Sequence, residues 1–243
     1  MNIIEVNNLR KKYVKRVVGI KEFFISYLQQ KEDLFTREFA LKDISFSLKK
    51  GDSISIIGHN GAGKSTLLAI LACFVYPDSG SCTIDGKIAS LIDLGSGFHP
   101  DLNGYENIEL FLSSNNVLKR DMPKRIKEIN EFSQLGNVLK NRISTYSSGM
   151  LARLGFSSAI ALYPDVLLID EMIEVGDFSF KKKCFEYMQD FKKKGGSLVI
   201  VTHDLDKAKQ LSNKGLVLHH GKVIFNGSIS KAINTYHRIY GKI

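Results

Sequence analysis

The octapeptide "GHNGAGKS", Gly58 to Ser65, constrains the fold of this chain more than any other stretch. It matches G-x-x-x-x-G-K-[ST] and lies between the apolar run "SISIIG" and the helix-like "KSTLLAILACF", the setting that motif requires. Gly58, Gly61 and Gly63 carry no Cβ, so the backbone can fold into a nest of amides facing phosphate oxygens. His59, Asn60 and Ala62 complete the loop, and the helix that follows aims its N-terminus at the same oxygens. Lys64 is spaced to neutralise β- and γ-phosphates, Ser65 offers a hydroxyl to Mg²⁺, and Thr66 closes the motif. This pattern predicts a nucleoside triphosphate, ATP in the simplest case, held at the end of a strand in an α/β sheet.

A second apolar run, "VLLIDE", ends in two carboxylates. Asp170 is expected to join Ser65 in the Mg²⁺ shell, through water, as an aspartate on a neighbouring strand does in phosphate-loop enzymes. Glu171 is expected beyond the γ-phosphate, where it orients and polarises a water. His203 follows "SLVIVT" and is a candidate to bond the γ-phosphate and that water, whereas Asp204 reads as the cap of the next helix.

The remaining chain alternates strands and helices at the spacing of a parallel sheet. "IIEVNNL" and "LKDISFSL" read as half-buried strands, separated by residues 14–38, an insertion with five basic residues between Val14 and Arg37. Within it, "IKEFFISYLQQ" has the pattern of a short amphipathic helix. Two short strands flank the turn dipeptide Asp85-Gly86. Residues 103–163 read as largely helical, a further helix spans 179–194, "GLVLHHGKVIFNG" reads as a hairpin, and a last helix starts near Ser228. The longest apolar run, residues 67–76, has ten residues, against roughly 20 for a bilayer-spanning helix. Cys73, Cys82 and Cys184 show no CxxC spacing, which argues against a disulfide framework or a zinc site and fits a reducing cytoplasm. The net charge of +9 suits a nucleic acid, an anionic membrane face or an anionic substrate alike.

One stretch remains: "YSSGM", Tyr146 to Met150, followed by "LARLGFSSAIALYPDVLLIDE". It resembles the signature motif of ABC transporter ATPases. Gly58–Ser65, Asp170–Glu171, Asp177 in "VGD" and His203 stand in the same order as that family's other motifs, over essentially the whole chain. The resemblance implies a phosphate-loop core sheet of the RecA-like type, an antiparallel β subdomain and a helical signature subdomain, in one ATPase domain over residues 1–243. It also implies that Ser147, Ser148 and Gly149 clamp the γ-phosphate of ATP held by Lys64 of a second copy, in a head-to-tail homodimer. Tyr13 matches the aromatic that stacks on adenine, with Phe39 as the alternative.

The variant "YSSGM", with "LGSGFHPDLNGYENI" and "VGDFSFKKKC", looks like the branch that exports lipid-linked O-antigens, capsules and teichoic acids. Its members carry a basic N-terminal insertion near the membrane. By this resemblance the chain works at the cytoplasmic face of the inner membrane, with two copies of a separate transmembrane permease and without nucleic acid. Another exported cargo, or a non-transport role on nucleic acid, is the alternative. The family's usual Mg²⁺-sensing glutamine is missing from "IDLGSG", so Asp93 or a main-chain group is expected in its place. The chain ends at Ile243 and leaves no room for the carbohydrate-binding domain that some relatives append.

Overall fold

In chain order the elements are β1 (Asn2–Arg16), β2 (Phe35–Lys49), β3 (Ser53–Ile57), α1 (Lys64–Leu71), β4 (Ser79–Ile84), β5 (Ile88–Leu91), α2 (Gly104–Ser114) and α3 (Met122–Ser133). Two 3₁₀ turns lead to α4 (Ser148–Ile160), then β6 (Val166–Ile169), α5 (Phe178–Lys193), β7 (Ser197–Val201), α6 (Leu205–Leu211), β8 (Lys214–His219), β9 (Lys222–Ser228) and α7 (Ile229–Tyr240). The structure is a computed structural model, and it describes residues 1–16, 35–92, 97–170 and 177–241.

β3, β6 and β7 are buried at every position, which is why their sequences show no alternation: both faces of the sheet are covered. They form a six-stranded sheet in the order β5-β6-β7-β3-β8-β9, parallel except for the edge strand β9. Successive residues of β6 point to opposite sides. Val166 and Leu168 enter a core shared with α1 and the first two strands, while Leu167 and Ile169 enter one built from α4 and α5. Residues 104–160 hold a third core of their own around Ile108, Leu112, Ile129 and Leu154. Its first helix is nucleated locally by a reciprocal cap: Asn103 Oδ1 accepts from the Glu106 amide, and the Glu106 carboxylate accepts from the Asn103 amide.

The second sheet is antiparallel, in the order β2-β1-β4. Ile4, Val6, Leu41, Ile44, Phe46 and Leu48 face the core, and Asn8 and Asp43, at φ 47° and 56°, mark irregularities that reset the alternation. The flanks of the insertion continue this ladder, with Val14 opposite Arg37 and Arg16 opposite Phe35. The strands therefore run into the segment that the sequence pattern assigns to the insertion, and "IKEFFISYLQQ" lies outside the described residues. Asp85-Gly86 is a turn between sheets and not within one, because β4 pairs with β1 whereas β5 pairs with β6. The β8–β9 hairpin is local by contrast. His220 and Gly221 take φ 46° and 76°, the two-residue geometry with both centres left-handed that matches strand twist. Among the described residues no helix is long and apolar enough to cross a membrane.

Candidate active site

Pairing of Ile56 with Val201 and of Ile169 with Ile200 sets the carboxyl ends of β3, β7 and β6 side by side. In an open α/β sheet that edge is where ligands bind. The three strands there release the phosphate loop, Thr202-His203 and Asp170. A cavity of about 490 Å³ opens at this edge, within the range of small-molecule sites. Asn60, Gly61, Gly63, Lys64, Ser65, Thr66, Asp170 and Val201 line one side, and Tyr13, Glu38, Phe39 and Ala40 the other.

The loop has its shape because no side chain fits at two of its glycines. A Cβ on Gly63 would sit 2.5 Å from the Ala40 carbonyl oxygen and 2.8 Å from Leu41 Cδ2, at a φ of 102°. One on Gly58 would sit 2.5 Å from the Leu218 oxygen on β8. Ala62 is fully buried, and its amide donates to the His59 carbonyl (3.1 Å). Gly63 caps α1 without any side-chain hydrogen bond, and the first-turn amides point out of the helix at the end where an anion is favoured. Lys64 is 8% exposed, and its Nζ donates to the carbonyls of Gly58 (2.7 Å) and His59 (3.1 Å). That folds a positive charge over the loop. The Ser65 hydroxyl and the Asp170 carboxylate line the same cavity, an all-oxygen donor pair that fits a hard cation such as Mg²⁺.

The ABC transporter family model matches residues 41–174, and the chain is 39% identical over 219 residues to the O-antigen export system ATP-binding protein RfbB of Klebsiella pneumoniae, covering 90% of this chain and 89% of that one. The chain belongs to the ABC transporter family. It is also 38% identical over 211 residues to the teichoic acids export ATP-binding protein TagH of Bacillus anthracis, covering 84% of this chain but 38% of that protein. In fold it matches a dimeric ATP-binding cassette solved in a post-hydrolysis state with ADP and Pi, at a TM-score of 0.73 and 22% identity, over 93% of this chain and 98% of that one.

The stretch that resembles the ABC signature stands elsewhere in the molecule. Tyr146 is buried and donates its hydroxyl to the Val138 carbonyl (2.8 Å), which pins the turn to the helical core. Ser147 caps α4 by accepting from the Met150 amide at 3.3 Å, and Ser147 and Ser148 are exposed. Among the described residues, none of Ser147, Ser148 and Gly149 lines the cavity.

Asp177 does not line it either. It caps α5 by accepting from the Phe180 amide (2.9 Å) and the Ser179 hydroxyl (2.7 Å), and it pairs with the Arg153 guanidinium. These donors, the Ser179 hydroxyl foremost, hold its carboxyl down at about 2. Arg153 also donates to the Ser133 carbonyl (3.2 Å) and lies over the Phe180 ring at 4.9 Å. Its signal in the sequence is that it is the one charged residue in "SGMLARLGFSSAI".

His203 is exposed and lines a smaller neighbouring cavity of about 230 Å³, of which Asp170 is also a wall. Asp204 accepts from the amides of Asp206 and Lys207 and caps α6, as its position suggests. Tyr13 and Phe39 both line the larger cavity, under the Nζ atoms of Lys11 (5.7 Å from the ring centre) and Lys12 (4.6 Å) respectively. The His59 ring turns away from it towards His219, His220 and Tyr240, so only the main chain of this residue serves the loop. Glu171 and Asp93 lie outside the described residues.

Proposed function

We propose that this chain is the ATP-hydrolysing subunit of an exporter for a lipid-linked polysaccharide, working as two copies that share two ATP molecules beneath a separate transmembrane permease. The observation that carries the reading is the make-up of the main cavity. It holds the phosphate loop, Asp170 and an aromatic pair, yet no signature residue. A second copy facing the opposite way supplies what is missing: its Ser147, Ser148 and Gly149 meet the γ-phosphate across from Lys64. The dimeric cassette to which the fold is similar supports this assembly.

In this reading Tyr13 or Phe39 stacks on adenine, and Lys64 with the first-turn amides of α1 balances the phosphate charge. Ser65 and Asp170 hold Mg²⁺, Asp170 through water; the ion supplies charge neutralisation at the phosphates when bound. Glu171 holds and polarises the attacking water, and His203 donates to the γ-phosphate. Binding of ATP by the closed pair draws two copies together, and repulsion between the products separates them.

The curated relatives named for O-antigen and teichoic acid export support the cargo class. A groove of about 410 Å³ supports a permease contact. It is lined by Phe74, Phe98, Leu110, Phe111 and Leu162, with Phe74 60% exposed, and Gly97 beside residues 93–96 forms part of its wall. The basic insertion then lies against the anionic cytoplasmic face of the membrane.

Residues 17–34 offer the test, because Arg16 and Phe35 already face each other and an Asn-Gly turn can join them. In cells lacking the gene, the full chain should restore surface glycan, and the excised chain should hydrolyse ATP without restoring it. Normal export by the excised chain would remove the insertion from the mechanism. Failure of the full chain to move any glycan, when expressed with a permease of the polysaccharide-export class, would overturn the cargo.

A further inference from the structure

Behind the phosphate loop, three histidines far apart in the sequence meet. His59 is the second residue of the loop, His219 ends β8, and His220 opens the tight turn to β9. Their ligand nitrogens all lie within 4.8 Å of one another. The ring centres of His219 and His220 are 4.2 Å apart, and His59 stands 5.9 and 5.2 Å from them. Two of the rings are half-buried and one is exposed, so an ion from solvent can reach them.

The far sides of two rings are already held. His59 Nδ1 bonds to the Asn60 carbonyl oxygen, and His219 Nδ1 to the Tyr240 hydroxyl. A ring that gives its Nδ1 proton to a fixed oxygen keeps its Nε2 lone pair free for a metal, and such outer partners orient the ligands of metal sites.

We propose that His59, His219 and His220 bind one divalent transition-metal ion of the zinc class, with water in the fourth position. Imidazole nitrogens suit zinc, nickel or copper and do not suit Mg²⁺, which prefers oxygen, so this site is chemically distinct from the pair Ser65 and Asp170. Tetrahedral bonds of about 2.1 Å set the nitrogens about 3.4 Å apart, a closure that side-chain rotation supplies. The ion ties the phosphate loop to the β8–β9 turn, where the Gly221 amide already donates to the Ala62 carbonyl (3.1 Å). Metal occupancy thereby stiffens the loop and alters nucleotide affinity. The three cysteines play no part, and the proposal stands whether or not the cargo reading does.

The test titrates the full-length, tag-free, chelator-treated chain with Zn²⁺ by calorimetry and with Co²⁺ by visible absorption, in excess Mg²⁺. One equivalent should bind, with a tetrahedral cobalt spectrum that lacks a thiolate band. His220→Gln, at the exposed position, should lower Zn²⁺ affinity by about 100-fold, and Tyr240→Phe by about tenfold. Both variants should match the parent in circular dichroism and Tm when chelator is present, while Zn²⁺ should raise the Tm of the parent most, of Tyr240→Phe less and of His220→Gln least. Absence of stoichiometric binding to the folded parent, unchanged affinity in His220→Gln, or a thiolate-to-cobalt band would each overturn the site.

Discussion

Two helices of this molecule begin at glycine- and serine-rich turns, and their N-termini are finished differently. α1 starts from Gly63, with no side-chain cap, beside a lysine that is 8% exposed, and it opens into a cavity walled by Asp170 and two aromatics. α4 starts from Ser147, whose hydroxyl accepts its own Met150 amide, and it opens onto bare surface. The phosphate loop is thus a nearly whole site in one chain. The turn at Ser147 is locked from behind by Tyr146, and in the proposed dimer it meets phosphates that another copy brings. Anion affinity at a helix end therefore depends less on the turn sequence than on what surrounds it.

The largest expected effect tests the complete half. Lys64→Ala removes the charge that the loop folds over its phosphates, and two charge-assisted hydrogen bonds at about 1.5–3 kcal/mol each correspond to a loss in ATP affinity of about 100-fold or more. Calorimetry on the monomer reads it directly, and parent-like affinity would break the assignment of the cavity.

The next effect tests the incomplete half. Glu171→Gln should slow hydrolysis by about 10²–10³-fold and elute as a dimer on a sizing column in ATP. Adding Ser148→Glu should dissolve that dimer while monomer ATP affinity holds. A carboxylate in the first turn of α4 favours its own helix by about 0.3–1 kcal/mol, so Tm should not fall. Persistence of the ATP-bound dimer in the double variant would mean that the signature meets no phosphate.

The smallest effect concerns the pair that ties α4 to α5, Asp177 with Arg153. The folded carboxyl at about 2 lies below its ordinary 3.8, so its contribution is fully present above about pH 4 and is lost as pH falls towards 2. Asp177→Asn should accordingly melt slightly below the parent at pH 7, and the gap should close on acidification. A gap independent of pH would show that the asparagine fails as a cap, not as a charge.

Much of this was legible in advance where the physics is local. The strand–loop–helix around Gly58–Ser65, the buried runs of β6 and β7, the cap at Asp204 and the hairpin at His220-Gly221 each depend on residues within a few positions of one another. The turn at Asp85-Gly86 shows the limit: two residues can announce a change of direction, but β4 and β5 find partners in different sheets, more than 70 residues distant for β5. Arg153 likewise reads as one more basic helix residue until α4 packs beside α5 and brings it to Asp177. The ring of His59 belongs to the loop in sequence and to the β8–β9 turn in space.

Composition and order of motifs by themselves determined the chemistry this chain can perform: a glycine nest for phosphate, oxygen donors for a hard cation, a second anion-type turn. Tertiary structure alone decided that the first turn shares a cavity with Asp170, Tyr13 and Phe39, and that the second does not. The physical reason lies in distance along the chain. Side-chain size and backbone freedom act on neighbours, whereas strand order and helix packing are settled by burial of apolar surface contributed by distant segments, as Ile54 against Lys214, 160 residues on, illustrates.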